Sequence, residues 1–149
     1  MTVLARNKKA SFNYFLEDGT EAGLVLLGSE VKALRARTCS LVDAFVCYEK
    51  GRMVLRNAHI PAPTGTHTKA HEPRRDRPIL LKEREIRKFL GLIQREGVTL
   101  AVTEIYASKK WIKVKVCVAR GKKKHDKRAA IKEREWGREK QRVLADKLR

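Results

Sequence analysis

The chain has 149 residues, 42% of them apolar, enough for one folded domain with a real core. Its 35 Lys and Arg against 17 Asp and Glu leave a net charge of +18 and a pI near 10.3, which points to a polyanionic partner. There is no apolar run near the roughly 20 residues that span a bilayer and no secretory signal after Met1, so nucleic acid in the cytoplasm is expected and membrane is not.

Cys39, Cys47 and Cys117 form no C-x-x-C pair and are odd in number, which argues against a disulfide framework and a structural zinc site. Residues 1–10 are basic (Arg6, Lys8, Lys9) and read as a flexible arm. From Ser11 the alternation of Phe12, Tyr14 and Leu16 predicts a strand, Asp18-Gly19 a turn, and the run 22–27 a second strand. After Gly28, Ser29 can cap a short helix with Val31 and Leu34 inward and Lys32, Arg35 and Arg37 outward. Residues 41–49 and 52–60 read as a hairpin around Lys50-Gly51, and the proline-bearing stretch 61–78 as a long loop.

The clearest helix runs from Lys82 to Glu96, where Ile86, Phe89, Leu90 and Ile93 fall on one face and Gly97 offers a stop. Strands over 98–106 and 111–119 follow. In the second, Ile112, Val114, Val116 and Val118 alternate with Trp111, Lys113, Lys115 and Cys117, giving one buried face and one solvated basic face. From Arg120 onward there are 13 Lys or Arg against 5 Asp or Glu, with too few apolar residues for a core. The expectation is a division into an arm (1–10), a barrel (11–120) and a basic tail (121–149) that is disordered alone and becomes helical on a partner. Six strands in an order that is not βαβα, with two to three flanking helices, predict a mainly β fold: a small closed antiparallel barrel of the oligonucleotide-binding type.

No catalytic motif or phosphate-cradling glycine loop is present. His67 and His71 stand four apart, but the surrounding Pro and Gly argue against a helix that would aim both at one metal, so neither metal nor cofactor is expected. Glu83 and Glu85 suit the positive end of a helix dipole. Trp111 beside Lys113 and Lys115 is a stronger signal, because looped RNA needs stacking and phosphate neutralisation together. The densest charge, Arg120 to Arg128, follows the last strand at Gly121 and reads as a hinged basic tail that can order in a phosphate-lined channel. On these grounds an RNA-binding adaptor, a structural ribosomal protein and a nucleic-acid-processing enzyme stay open, the last lacking any metal or acid–base cluster.

The string Gly121 to Arg128 followed by Ile131-Lys132-Glu133-Arg134-Glu135-Trp136 resembles the tail motif of the SsrA-binding (Small protein B) family. Asn7-Lys8-Lys9-Ala10 with Tyr14-Phe15, Glu21-Ala22-Gly23, Gly28 to Arg35, Leu80 to Arg87 and Lys113 to Arg120 are similar to further blocks of that family, collinear over nearly the whole chain. Arg37, where the family often has Gly, and Pro78, where it often has Lys, depart from the pattern.

The resemblance implies a barrel that binds the tRNA-like domain of transfer-messenger RNA near its D-loop elbow, without enzymatic activity, and acts in the bacterial cytoplasm as a monomer. It implies entry into stalled ribosomes with elongation factor Tu, an indirect link to alanyl-tRNA synthetase through the RNA, and contact mainly with the small subunit. It assigns RNA binding to Tyr14, Glu21, Leu80 and Lys113, to which the residue pattern adds Arg35, Trp111 and Lys115. Gly121, Lys122, Lys123, Lys124, His125, Asp126, Lys127 and Arg128 correspond to a decoding-centre segment. Ile131, Lys132, Arg134 and Trp136 correspond to a tail in the mRNA channel.

Overall fold

The computed structural model describes residues 1–63 and 70–121, so the tail positions 122–149 and His67 lie outside the described residues. Seven strands, β1 (Thr2–Arg6), β2 (Tyr14–Leu24), β3 (Phe45–Glu49), β4 (Arg52–Arg56), β5 (Arg77–Leu80), β6 (Thr99–Ser108) and β7 (Trp111–Gly121), form one sheet. Three helices accompany them: α1 (Lys8–Asn13), α2 (Gly28–Arg35) and α3 (Glu83–Glu96). Neighbours run in the order β6, β3, β4, β5, β2, β7, and β7 pairs back onto β6, so six antiparallel strands close a ring. This is the closed barrel with flanking helices that the sequence predicts. β1 is a seventh strand on β6, pairing with 104–107 where β3 takes only Leu100 and Ala101.

Val114, Val116 and Val118 of β7 point inward and are fully buried with Leu100, Val102, Ile105, Met53 and Leu55. Each such side chain contributes about 1.5–3 kcal/mol on leaving water. Phe89 of α3 and Leu34 of α2 bring the two longer helices onto this core, and Ile86, Leu90 and Ile93 pack beside Phe89 as the helical spacing requires. Gly97 ends α3 at φ 62°, a left-handed conformation that a Cβ would strain.

The basic start is not a flexible arm. Its alternating Val3 and Ala5 pair on β6, and Asn7 then fixes the turn into α1. The Asn7 side chain accepts from the Ala10 amide (3.2 Å) and donates to the carbonyls of Leu41 (2.8 Å) and Val102 (3.2 Å). That cap makes residues 8–13 helical, so the strand expected from Ser11 begins at Tyr14. Asp18-Gly19 is not a turn either. β2 runs through it with a register shift between Glu17 and Thr20 against an unbroken β7, a bulge that bends the strand.

β3 starts at Phe45 rather than 41, and β4 stops at Arg56, with a single bridge between Ser40 and His59 beyond it. The expected long loop ends early because 77–80 form β5. Pro78 fits inside that strand for a local reason. Its carbonyl accepts from Val25 N–H (3.1 Å), and the return bond that proline cannot donate is replaced by Arg75 Nη2, 3.5 Å from the Val25 carbonyl. His71 is buried, with Nδ1 2.7 Å from Ser29 Oγ and Nε2 2.8 Å from the Ile60 carbonyl, so its role is to hold the loop. Among the described residues no cluster of three metal-ligating side chains occurs, and no helix is long and apolar enough to cross a membrane.

Candidate nucleic-acid interface

The outer faces of β5, β2, β7 and β6 form one surface. Leu80, Gly23, Lys113 and Tyr106 lie opposite one another in a row across the four strands. Glu21, Lys115 and Glu104 make the adjoining row, which continues to Arg6 on β1. Gly23 suits the first row because a Cβ there would press on Leu80 Cβ at 3.3 Å. Trp111 stands at the end of the same β7 face, 69% exposed, and Leu80 is 64% exposed. Water-facing apolar groups of this size, flanked by ammonium groups, suit stacking and apolar contact with unpaired bases.

Glu21 organises the centre of this surface. Lys113 Nζ donates to one carboxylate oxygen at 2.6 Å, and the Tyr106 hydroxyl donates to the other. The bond from Lys113, then that from Tyr106, holds the Glu21 carboxyl below the usual carboxylate range. Burial, and then the bond to Glu21, raises the Tyr106 phenol above its ordinary value. At neutral pH the carboxyl is therefore an anion and the phenol a neutral donor. Together they fix the position of a lysine. The carboxylate keeps lone pairs for ribose or base donors, while Lys113 and Lys115 offer ammonium groups to phosphates.

The structure thus brings together five of the seven barrel residues singled out in the sequence: Glu21, Leu80, Trp111, Lys113 and Lys115. It does not bring Tyr14 there. Tyr14 pairs with Gly121 at the opposite end of the β2–β7 ladder and lines a cleft of about 500 Å³ with Asn7, Asn13, Phe45, Asn57 and Arg74. Arg35 lies exposed on the last turn of α2, off the sheet. Gly121 is the last residue of β7, and the remaining tail positions from Lys122 to Trp136 lie outside the described residues.

Sequence reasoning missed Tyr106. In the sequence it continues the even-numbered apolar positions Leu100 and Val102, which reads as core. A register shift between Val102 and Glu104 inserts one residue, so Ile105 takes the inward place and Tyr106 turns outward. At the tail end of β7, Arg120 donates to Glu96 (2.6 Å) and Glu17 (3.3 Å), tying the strand to the end of α3 and to β2. Eight residues, roughly 27 Å of strand, separate Lys113 from Gly121.

Comparison with known proteins bears on this surface. The family model described as "SmpB protein" matches residues 4–146. The SsrA-binding protein of Wolbachia pipientis subsp. Culex pipiens is 44% identical over 149 residues, spanning 99% of this chain and 100% of that protein. That of Zymomonas mobilis is 44% identical over 146 residues, spanning 97% and 91% of the two chains. A solved structure described as "tmRNA-SmpB: a journey to the center of the bacterial ribosome" superposes with a TM-score of 0.68 at 35% identity, covering 88% of this chain and 95% of that one. A match of this extent, collinear with a closed barrel whose outer face carries the lysine–carboxylate cluster, means that the chain belongs to the SmpB protein family.

Proposed function

We propose that this protein binds transfer-messenger RNA and acts as an adaptor of trans-translation, delivering that RNA to stalled ribosomes. The observation that carries the reading is the outer face on which Trp111 and Leu80 flank Lys113, itself fixed by Glu21 and Tyr106. Stacking groups, phosphate-binding ammonium groups and a carboxylate acceptor on one rigid sheet suit a folded RNA with unstacked loop bases.

Tyr14 and Arg35 are contacts outside this face. The tail from Gly121 leaves the barrel at the far end of β7 and reaches the ribosome: Lys122 to Arg128 in the decoding centre, and Ile131, Lys132, Arg134 and Trp136 in the mRNA channel. Elongation factor Tu and alanyl-tRNA synthetase join through the RNA rather than through the barrel, and the setting is the cytoplasm. The arrangement calls for no chemistry by the protein itself.

The experiment is identification of the RNA that copurifies with the native protein. One discrete RNA with a tRNA-like domain is expected, released from ribosomes by high-salt washing. Retention on washed subunits with no discrete RNA would favour a structural ribosomal protein instead. Lys113→Ala should weaken binding of the isolated RNA and lower the slope of log K against log salt by about 0.7–0.9, one phosphate contact. An unchanged slope removes Lys113 from the phosphate-contacting set.

A further inference from the structure

Arg37 adopts φ 59° in the residue that closes α2. The closure is a Schellman turn: Arg37 N–H donates to the Leu34 carbonyl (2.9 Å) and Thr38 N–H to the Ala33 carbonyl (3.4 Å), with Ala36 as the cap. Glycine, or asparagine, fits this left-handed place without the crowding that a larger side chain meets. An arginine here carries a conformational cost, and nothing local offsets it. Its side chain is exposed and makes no ion pair or hydrogen bond among the described residues.

The same holds for Lys32 and Arg35, which share the last turn of α2 and are likewise exposed without a side-chain partner among the described residues. The negative end of the helix dipole accounts for cations at 32 and 35. The same dipole favours a cation at Arg37, one step beyond the cap, but leaves the cost of its left-handed backbone in place.

The helix that presents these groups is held rigidly. Leu34 is fully buried, and the buried carboxylate of Glu30 is gripped by Arg77 and by Arg75 (2.7 Å). The helix follows β2 directly, so Arg35 lies at most about 30 Å along the chain from Gly23 in the Lys113 row. We infer that Lys32, Arg35 and Arg37 form a second phosphate-contacting patch, which takes the sugar-phosphate backbone of the same RNA beyond the segment held on the sheet face. Rigid presentation, three unneutralised cations and a strained arginine fit a polyanion whose charges repeat along a strand. This inference rests on the RNA-binding reading above.

The test is Arg37→Gly, with Lys50→Gly as its control. Lys50 is also left-handed (φ 50°), exposed and cationic, but it sits in the β3–β4 hairpin beside Glu49 rather than on α2. Full-length proteins are compared for binding to transcribed transfer-messenger RNA across a salt series, for binding to phosphatidylglycerol vesicles, and for melting temperature.

Arg37→Gly should melt about 2–4 °C higher, because strain is relieved, yet bind the RNA several-fold more weakly with a salt slope smaller by about 0.7–0.9. Lys50→Gly should leave the RNA slope unchanged. An unchanged slope for Arg37→Gly, an equal fall for Lys50→Gly, or a loss confined to vesicle binding would each overturn the inference. Failure of the wild-type protein to bind this RNA at all would instead overturn the reading on which it rests.

Discussion

Glu21 shows how a carboxylate can sit on the surface proposed to bind RNA. Alone it would repel phosphates. Bonded to Lys113 and to the Tyr106 hydroxyl, it holds the ammonium group on the sheet and keeps acceptors for ribose or base. Tyr106→Phe removes one donor without changing the ring. It should weaken transfer-messenger-RNA binding about fivefold, the equivalent of roughly 1 kcal/mol, with little change in melting temperature. Combined with Glu21→Gln it should cost little more than Glu21→Gln alone, because both changes act on one network; strictly additive losses would show that the hydroxyl does not act through Glu21. The sequence pattern revealed Lys113 and Lys115 because β7 alternates without interruption. It hid Tyr106 because a single inserted residue in β6 reverses which parity points into the core, leaving Tyr106 on the outer face, where it is nonetheless buried.

Among the elements, α2 depends most on one buried charge. Glu30 accepts from the Leu27 amide at 2.8 Å and from Arg77 and Arg75, joining the helix start to β5 and the segment before it. Burial alone would raise its carboxyl; the bonds to Arg75, Leu27 and Arg77 together reverse that and hold it below the usual value. A depressed carboxyl stabilises the fold at pH values above its unfolded pKa, and the contribution fades as pH falls through the folded pKa. The stability curve should thus be flat with respect to Glu30 above about pH 5 and drop below about pH 4.5. Glu30→Gln should cost about 3–5 kcal/mol at neutral pH, since it leaves Arg77 buried without its counter-charge, and should flatten that acid limb. Chemical denaturation at pH 7 and pH 4 reads both effects; an equal loss at the two values would mean that the charge of Glu30 is not what stabilises α2. Helix α3 was legible because its apolar spacing and terminal glycine are local signals. β1 was not, because it pairs onto β6 about a hundred residues away; the Asn7 cap of α1 is local, to the Ala10 amide, but Asn7 is itself held by the carbonyls of Leu41 and Val102.

At the scale of the whole molecule, the proposed RNA face and the end of the barrel at Gly121 lie at different ends of one long strand pair. Lys113 belongs to the sheet face, Gly121 pairs with Tyr14, and Arg120 fastens the exit to Glu96 and Glu17. Truncation after Arg120 should therefore leave transfer-messenger-RNA binding nearly unchanged while abolishing peptide tagging on stalled ribosomes. A filter-binding titration and a tagging assay on the same protein check the two halves, and loss of RNA binding would refute the division. What the sequence determined by itself was the charge, the alternating β7, the amphipathic α3 and the family pattern, because each is written in local spacing or composition. Only the tertiary structure decided that residues from four strands share one face, that Tyr106 belongs to it, that Tyr14 and Arg35 do not, and that Arg37 holds a left-handed turn. These depend on register, bulges and the closure of the barrel, which arise from contacts between segments far apart in the chain.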